Sequence, residues 1–260
     1  MGYMAKAVAA YMMHNPSVER CAIGAKPMTN MLAPSSHQMS IEIRQSISEY
    51  GYVFIERHKP ELKTFDAVAL LGSIVTLDGF SAVQELRPRA KSSAPPNTYS
   101  GNFGTGEFPM HTDLAHWAVP PRYLALRCIK GAAEVSTSVF DGGVMIDDMG
   151  ETLLRRTLVQ PRRPLRNGKP LLRLFDYFEG HDAGVLRWDS TFLRPATRDS
   201  EKMYSLVATY IASAVGQEVV LLNPGDTLIV DNWRMIHRRS PVPADATNRH
   251  IDRVYLGDLN

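Results

Sequence analysis

The chain has 260 residues, 44% of them hydrophobic and 22% charged, with a net charge of +2 at pH 7. That suits one large or two small globular domains, and so weak a charge excludes a dedicated nucleic-acid binder, which needs a strongly basic face. No run approaches the roughly 18 apolar residues needed to cross a membrane, and Cys21 and Cys128 lack the spacing of a disulfide framework or a thiolate metal site.

Residues 1–39 read as an N-terminal arm: a Met-rich, short amphipathic helix over Met1 to Met13, then a Pro- and Ser-rich stretch. With no secretory or transit pattern, a cytoplasmic protein is expected. Ser40 is a good N-cap for a helix that carries Ile41, Ile43 and Ile47 and ends near Tyr50 and Gly51. Gly51 to Glu56 is β-branched and aromatic, a buried strand. A helix over Thr64 to Leu71, a turn at Asp78-Gly79 and a short strand over Val83 to Arg87 follow. Pro88 to Gly106 is rich in Ala, Ser, Pro, Asn and Gly and predicts a long irregular loop, a length usually kept for function.

After it comes Phe108-Pro109-Met110-His111-Thr112-Asp113. In an extended strand residues i and i+2 share a face, so His111 and Asp113 are able to reach one ion. Pro120-Pro121 then breaks the chain. Strands are expected over Arg122 to Ile129 and Ser136 to Phe140, a helix over Val144 to Thr157, and strands over Pro170 to Phe178 and Gly184 to Trp188. The basic run Arg155 to Arg173 reads as a solvated or structural face. Asp199 to Val215 has the clearest helical period, and strands over Glu218 to Leu222, Thr227 to Val230 and Arg249 to Leu256 close the chain. Early helices and many short strands with one long inserted helix predict a mainly β fold with flanking helices and a jelly-roll (double-stranded β-helix) core over residues 40–260. Gly101-x-x-Gly104-x-Gly106 is no dinucleotide fingerprint: its spacing is wrong, and it precedes a strand.

A second His-x-Asp, His250-Ile251-Asp252, competes with the first. A facial iron site takes two His and one carboxylate and leaves the opposite positions open. Downstream of Asp113 stand His116, His181, His237 and His250; downstream of Asp252 there is none. His237 ends the segment Gly225-Asp226 through Asp231-Asn232-Trp233-Arg234-Met235-Ile236, a turn, a buried strand and a second turn that place it at a strand start. In the alternating run from Arg249, residues 249, 251, 253 and 255 share one face, which turns His250 and Asp252 outward. If Arg249 and Arg253 line a pocket they need an anionic partner, and a dicarboxylate suits a guanidinium.

These pieces, with Thr137 through Asp141-Gly142 and Arg249-x-x-x-Arg253, resemble the Fe(II)- and 2-oxoglutarate-dependent dioxygenases, in the branch of taurine dioxygenase, γ-butyrobetaine hydroxylase and clavaminate synthase. The similarity runs from about Ser40 to the C-terminus. It implies that His111, Asp113 and His237 bind Fe(II), that Arg249 holds the distal carboxylate of 2-oxoglutarate with a hydrogen bond from Thr137, and that Arg253 lies where some relatives bind an anionic group of the substrate. Tyr99, Trp117 and Arg187 are further candidates for substrate contact. His237-Arg238-Arg239 departs from the His-Gly-Arg common among relatives. The resemblance implies an oxygenase that uses O2 on an unactivated C–H bond of a small polar or anionic, amino-acid-like metabolite, releasing succinate and CO2. A carboxylate at Asp113 favours hydroxylation, desaturation or ring formation over halogenation. Alternatives from other classes are a non-catalytic 2-oxoglutarate sensor and a zinc or iron hydrolase or lyase. Oligomeric state is not legible.

Overall fold

The computed structural model describes residues 36–165 and 168–260. Nearly all of the expected arm, including the Met1 to Met13 helix and Cys21, lies outside the described residues. Helix α1 spans Ser36–Tyr50 and so starts four residues before the expected cap at Ser40. Nothing in Ser36-His37-Gln38-Met39 breaks a helix, and Gln38 Nε2 donates to Glu42 Oε1 one turn on, at 2.8 Å. Ile43 and Ile47 face inward as the period requires. The helix stops at Gly51, whose φ of +76° favours glycine; a Cβ there would also lie 2.2 Å from Met235 Sδ.

In chain order there follow β1 (Tyr52–Ile55), α2 (Thr64–Ala69), β2 (Gly72–Ile74), β3 (Gln84–Leu86), α3 (Tyr99–Phe103), β4 (Tyr123–Lys130) and β5 (Ser136–Asp141). Next come α4 (Gly142–Met149), α5 (Glu151–Arg156), β6 (Leu158–Pro161), β7 (Leu172–Arg173), β8 (Phe175–Asp176), β9 (Val185–Leu186), β10 (Leu193–Pro195), α6 (Arg198–Ser213), β11 (Gln217–Val220), β12 (Thr227–Asp231), β13 (Met235–Arg239) and β14 (His250–Leu259). Among the described residues one sheet runs β1-β12-β4-β14-β2, with β3 also on β14, and a second runs β11-β5-β13. The two face each other across a core of Leu124, Leu126, Val139, Val219, Val230, Ile251 and Tyr255, drawn from both. Alternate residues of the first sheet, such as Ala125, Ile229 and Val254, pack outward against Ile43 and Ile47 of α1 and Val68 of α2. Burial on both faces explains why β4 and β12 read as nearly unbroken apolar runs. Beyond the second sheet, Phe140 and Ile236 pack against Val207 and Ile211 of α6. This is the double-sheet jelly roll expected from the sequence.

Several elements differ from expectation. The helix over Val144 to Thr157 is two helices, broken at Gly150 with φ +88°. The strand over Pro170 to Phe178 is split into β7 and β8, because each pairs with a different partner, β6 and β9. Strand β6, inside the basic run, pairs with β10, and neither strand was expected. The loop over Pro88 to Gly106 contains α3, capped by the Thr98 side chain, which accepts from Gly101 N at 3.0 Å. Strand β13 carries His237 at its middle rather than its start. No helix among the described residues is long and apolar enough to cross a membrane.

Candidate metal centre

His111 and Asp113 are not on a regular strand. His111 makes single antiparallel bridges to His237 and to Asp189; with His237 the exchange is reciprocal, His111 N to His237 O at 2.9 Å and His237 N to His111 O at 2.8 Å. Thr112 N donates to Trp188 O at 2.8 Å. Asp113 then enters a turn, with Leu114 at φ +55°. Its backbone is gripped by the fully buried Asn232, whose Oδ1 accepts from Asp113 N at 2.7 Å while Nδ2 donates to Asp113 O at 3.0 Å and Pro121 O at 3.1 Å. Backbone pairing and one buried amide, not strand periodicity, therefore bring the side chains together.

The side chains of His111, Asp113 and His237 are buried, and one ligand atom from each falls within 4.8 Å of the others. His111 Nε2 is 3.4 Å and His237 Nε2 3.6 Å from Asp113 Oδ1. Adjacent ligands at about 2.1 Å from one ion lie about 3 Å apart, so a small inward shift accommodates a transition metal. His111 Nδ1 lies 2.8 Å from Pro109 O; donation there assigns the proton to Nδ1 and leaves the Nε2 lone pair toward the site. Asp113 Oδ2 accepts from Arg253 Nη1 at 3.0 Å and Tyr255 Oη at 2.9 Å. Burial pushes the Asp113 carboxyl up, but the Arg253 guanidinium first, and then the two neighbouring imidazoles, outweigh this and hold it well below the ordinary carboxylate range. Burial, followed by the neighbouring His111, lowers His237 and favours the neutral, ligating imidazole.

The triad opens into a cavity of about 540 Å³. Arg249, Ile251, Arg253 and Tyr255 all line it, the alternation read from the sequence, despite a register shift between His250 and Ile251. Thr137 of β5 lines it too. Arg249 is buried, its Nε has no hydrogen-bond partner, and no ion pair reaches its guanidinium among the described residues. Burial brings its pKa down to about 10, the mark of a cation without a counter-ion. Two nitrogens and a carboxylate oxygen with open positions suit non-haem iron, and an unpaired guanidinium on the same wall suits a carboxylate bound nearby.

No family model matches the chain. Over 166 residues, 56% of the chain, it is 28% identical to clavaminate synthase 2 of Streptomyces clavuligerus, and this match covers 48% of that protein. The chain thus spans about half the length of this curated relative. Among solved structures, asparagine oxygenase bound to Fe(II), 2S,3S-3-hydroxyasparagine and succinate superposes with a TM-score of 0.62 at 16% identity, covering 85% of this chain and 79% of that one. The non-haem iron oxygenase OrfP, bound to Fe and α-ketoglutaric acid, gives 0.62 at 20% identity, over 86% and 80%. The fold is that of the non-haem iron oxygenases. The resemblance to clavaminate synthase and its relatives, read from the motifs, stands.

Within this oxygenase fold the remaining candidates separate. Tyr99 of α3 lines the cavity, its ring 4.2 Å from that of His111 and its hydroxyl donating to Asp189 Oδ2 at 2.8 Å. Burial, reinforced by Asp189, holds that phenol well above its ordinary pKa, so it stays protonated. Arg253 also lines the cavity, and besides Asp113 it binds Gln84 Oε1 at 2.7 Å. Trp117 and Arg187 are not on the cavity wall. Trp117 packs beside Phe80, ring centroids 6.4 Å apart, and Arg187 spends its guanidinium on the carbonyls of Ala115, Trp117 and Ala118 at 3.2, 2.5 and 3.0 Å. It pins the turn after Asp113 and does not reach the site. His250 and Asp252 do face away from the cavity, yet they are buried, not solvent-facing: His250 Nε2 lies 2.9 Å from Asp252 Oδ1, and Thr64 Oγ1 of α2 donates to Asp252 Oδ2. The competing motif is a structural pair under a helix.

Two groups escaped the sequence reading as parts of the site. Tyr255 was placed on the inward face but given no role. Asn232 belongs to the recognised Asp-Asn-x-Arg run, yet nothing local told that its amide serves residue 113. The bulky Arg238 beside His237 is accommodated by turning outward to Glu107, while Arg239 lies 3.6 Å over the Phe108 ring and donates to the carbonyls of Gly104 and Gly106.

Proposed function

We propose that the protein is an Fe(II)- and 2-oxoglutarate-dependent oxygenase in which His111, Asp113 and His237 ligate the iron and residues 40–260 form one catalytic domain. The observation that carries this reading is the buried triad and the unpartnered guanidinium of Arg249 on one cavity. Arg249 donates two parallel hydrogen bonds to the distal carboxylate of 2-oxoglutarate, and the Thr137 hydroxyl donates to the same group. Bound iron supplies O2 activation coupled to conversion of 2-oxoglutarate to succinate and CO2. The chain's own contribution is placement: backbone pairing fixes the two His, Asn232 fixes the turn at Asp113, and the Tyr99 ring covers His111 and keeps water from that side.

The substrate in this reading is a small polar or anionic metabolite of amino-acid type, and the reaction is most simply a hydroxylation. The asparagine oxygenase and OrfP structures, which hold 3-hydroxyasparagine and (3S)-hydroxy-L-arginine, support the class of substrate. Arg89 and Arg253 on the cavity wall support an anionic group on it, Arg253 being shared with Asp113; Arg87, Arg238 and Arg239 also line the cavity but are engaged by Glu85, by Glu107 and by backbone carbonyls. Arg253 and Tyr99 are the substrate contacts retained from the sequence; Trp117 and Arg187 are not.

Anaerobic addition of Fe(II) and then 2-oxoglutarate gives, in this reading, a weak visible charge-transfer band that His111→Ala abolishes. Admission of O2 then yields succinate. Absence of both band and succinate sinks the proposal.

A further inference from the structure

Both oxygens of Asp113 are committed, and to different tasks. Oδ1 points to the two imidazole Nε2 atoms at 3.4 and 3.6 Å. Oδ2 points away from them and accepts the Tyr255 hydroxyl at 2.9 Å and Arg253 Nη1 at 3.0 Å. A carboxylate with one oxygen so occupied binds a metal through the other oxygen alone. Released, it is free to rotate and chelate with both.

The difference matters for a six-coordinate ion. Two His and a one-oxygen carboxylate leave three adjacent positions, enough for a bidentate keto acid and one further ligand; a chelating carboxylate leaves two. We propose that Tyr255 is a positioning residue that, together with Arg253, keeps Asp113 Oδ2 off the metal and so preserves the third open position. This rests on the metal-site reading given above.

Tyr255 is suited to the task by its place on β14. It lies two residues beyond Arg253 on the same face, and the strand is paired on β4, where Tyr255 stands opposite Leu124 and Arg253 opposite Leu126. The ring is 2% exposed and packed in the core between the sheets, so it has little freedom to swing away. Phenylalanine fills the same space, so the hydroxyl is not needed for packing. Among the described residues, that hydroxyl donates to Asp113.

The test compares wild-type protein with Tyr255→Phe, using Mn(II) as a redox-silent probe and calorimetry in the absence of O2. The proposal expects the Mn(II) dissociation constant to fall, because the released carboxylate chelates the ion with both oxygens; a rise overturns it. It also expects weaker 2-oxoglutarate binding to the Mn(II)-loaded variant and a displaced charge-transfer band in the Fe(II) complex. Arg249→Gln, by contrast, weakens 2-oxoglutarate binding and leaves the Mn(II) constant alone. A purely structural role for the hydroxyl predicts a lower melting temperature of the metal-free variant with unchanged Mn(II) affinity and band; that result overturns the proposal. If Tyr255→Phe does not fold, Arg253→Lys, which keeps the charge and withdraws the fixed guanidinium from Oδ2, must tighten Mn(II) and weaken 2-oxoglutarate binding in the same sense, or the proposal fails. Wild-type protein that binds no Mn(II) overturns the metal-site reading itself, and this proposal with it.

Discussion

Arg249 is a buried cation held without a counter-ion among the described residues. Such a charge costs the empty protein several kcal/mol and is worth keeping only where a ligand neutralises it. Two outcomes of opposite sign are expected from one substitution. Arg249→Leu raises the melting temperature of the ligand-free protein, measured by calorimetry, because the desolvation cost disappears. The same change weakens 2-oxoglutarate binding by roughly 10- to 150-fold, the equivalent of about 1.5–3 kcal/mol for hydrogen bonds to a charged group. Arg249 was legible from the sequence because strand alternation marks an inward arginine, an expensive choice that asks for a reason. Arg187, just as buried, was equally conspicuous but is satisfied by three carbonyls. A sequence shows that an arginine is present, not whether its partner is a ligand or the chain's own backbone.

At the scale of elements, the site depends on contacts between segments more than on the segments themselves. Asn232, in the turn between β12 and β13, is bonded to residue 113 and to Pro121, more than a hundred residues upstream. Asn232→Ala leaves Asp113 N, Asp113 O and Pro121 O buried without that partner, at about 1–3 kcal/mol for each group left unpaired. The expected result is a loss of at least about 2 kcal/mol in denaturant unfolding together with weakened metal binding. Loss of stability alone, with metal affinity kept, shows that the Asp113 turn holds without the amide. Helix α3 was missed because Tyr-Ser-Gly-Asn-Phe has little helical propensity; a Thr98 cap and packing of Tyr99 on His111 supply what propensity lacks. The break at Gly150 was missed for the opposite reason: the apolar period continues across it, while the glycine's positive φ stops the helix. Strands β1, β4 and β12 are legible because burial writes apolar residues directly into them.

For the molecule as a whole, the layers that make a jelly roll were legible as helices first and short strands after, and the pairing order was not, since register is a property of distant partners. The same distance between sequence and packing governs pH dependence. His58 is buried between α2 and the β12 turn, its Nε2 3.0 Å from Ala67 O. Burial lowers its pKa, outweighing the hydrogen bond to Ala67, which raises it. The folded protein therefore binds fewer protons than the unfolded chain once pH drops below about 6.5, the free imidazole value. Stability is full above that value and is lost as pH falls toward the lower folded pKa. A melting temperature that declines between about pH 7 and pH 5, with a shallower decline in His58→Gln, is the expected result; equal slopes would assign the acid sensitivity to other groups.

The two histidines of the site exchange both of their backbone hydrogen bonds with each other. Their spacing is thus written into the chain before any ion arrives, and loading a metal asks for no folding step. Chelation should strip the ion and leave the circular-dichroism spectrum and cooperative unfolding intact, and a fresh ion should restore the charge-transfer band within mixing time rather than at a refolding rate. On the proposed reading, a site built this way takes its metal as a reversible ligand, and its loading is expected to track the free Fe(II) concentration around it.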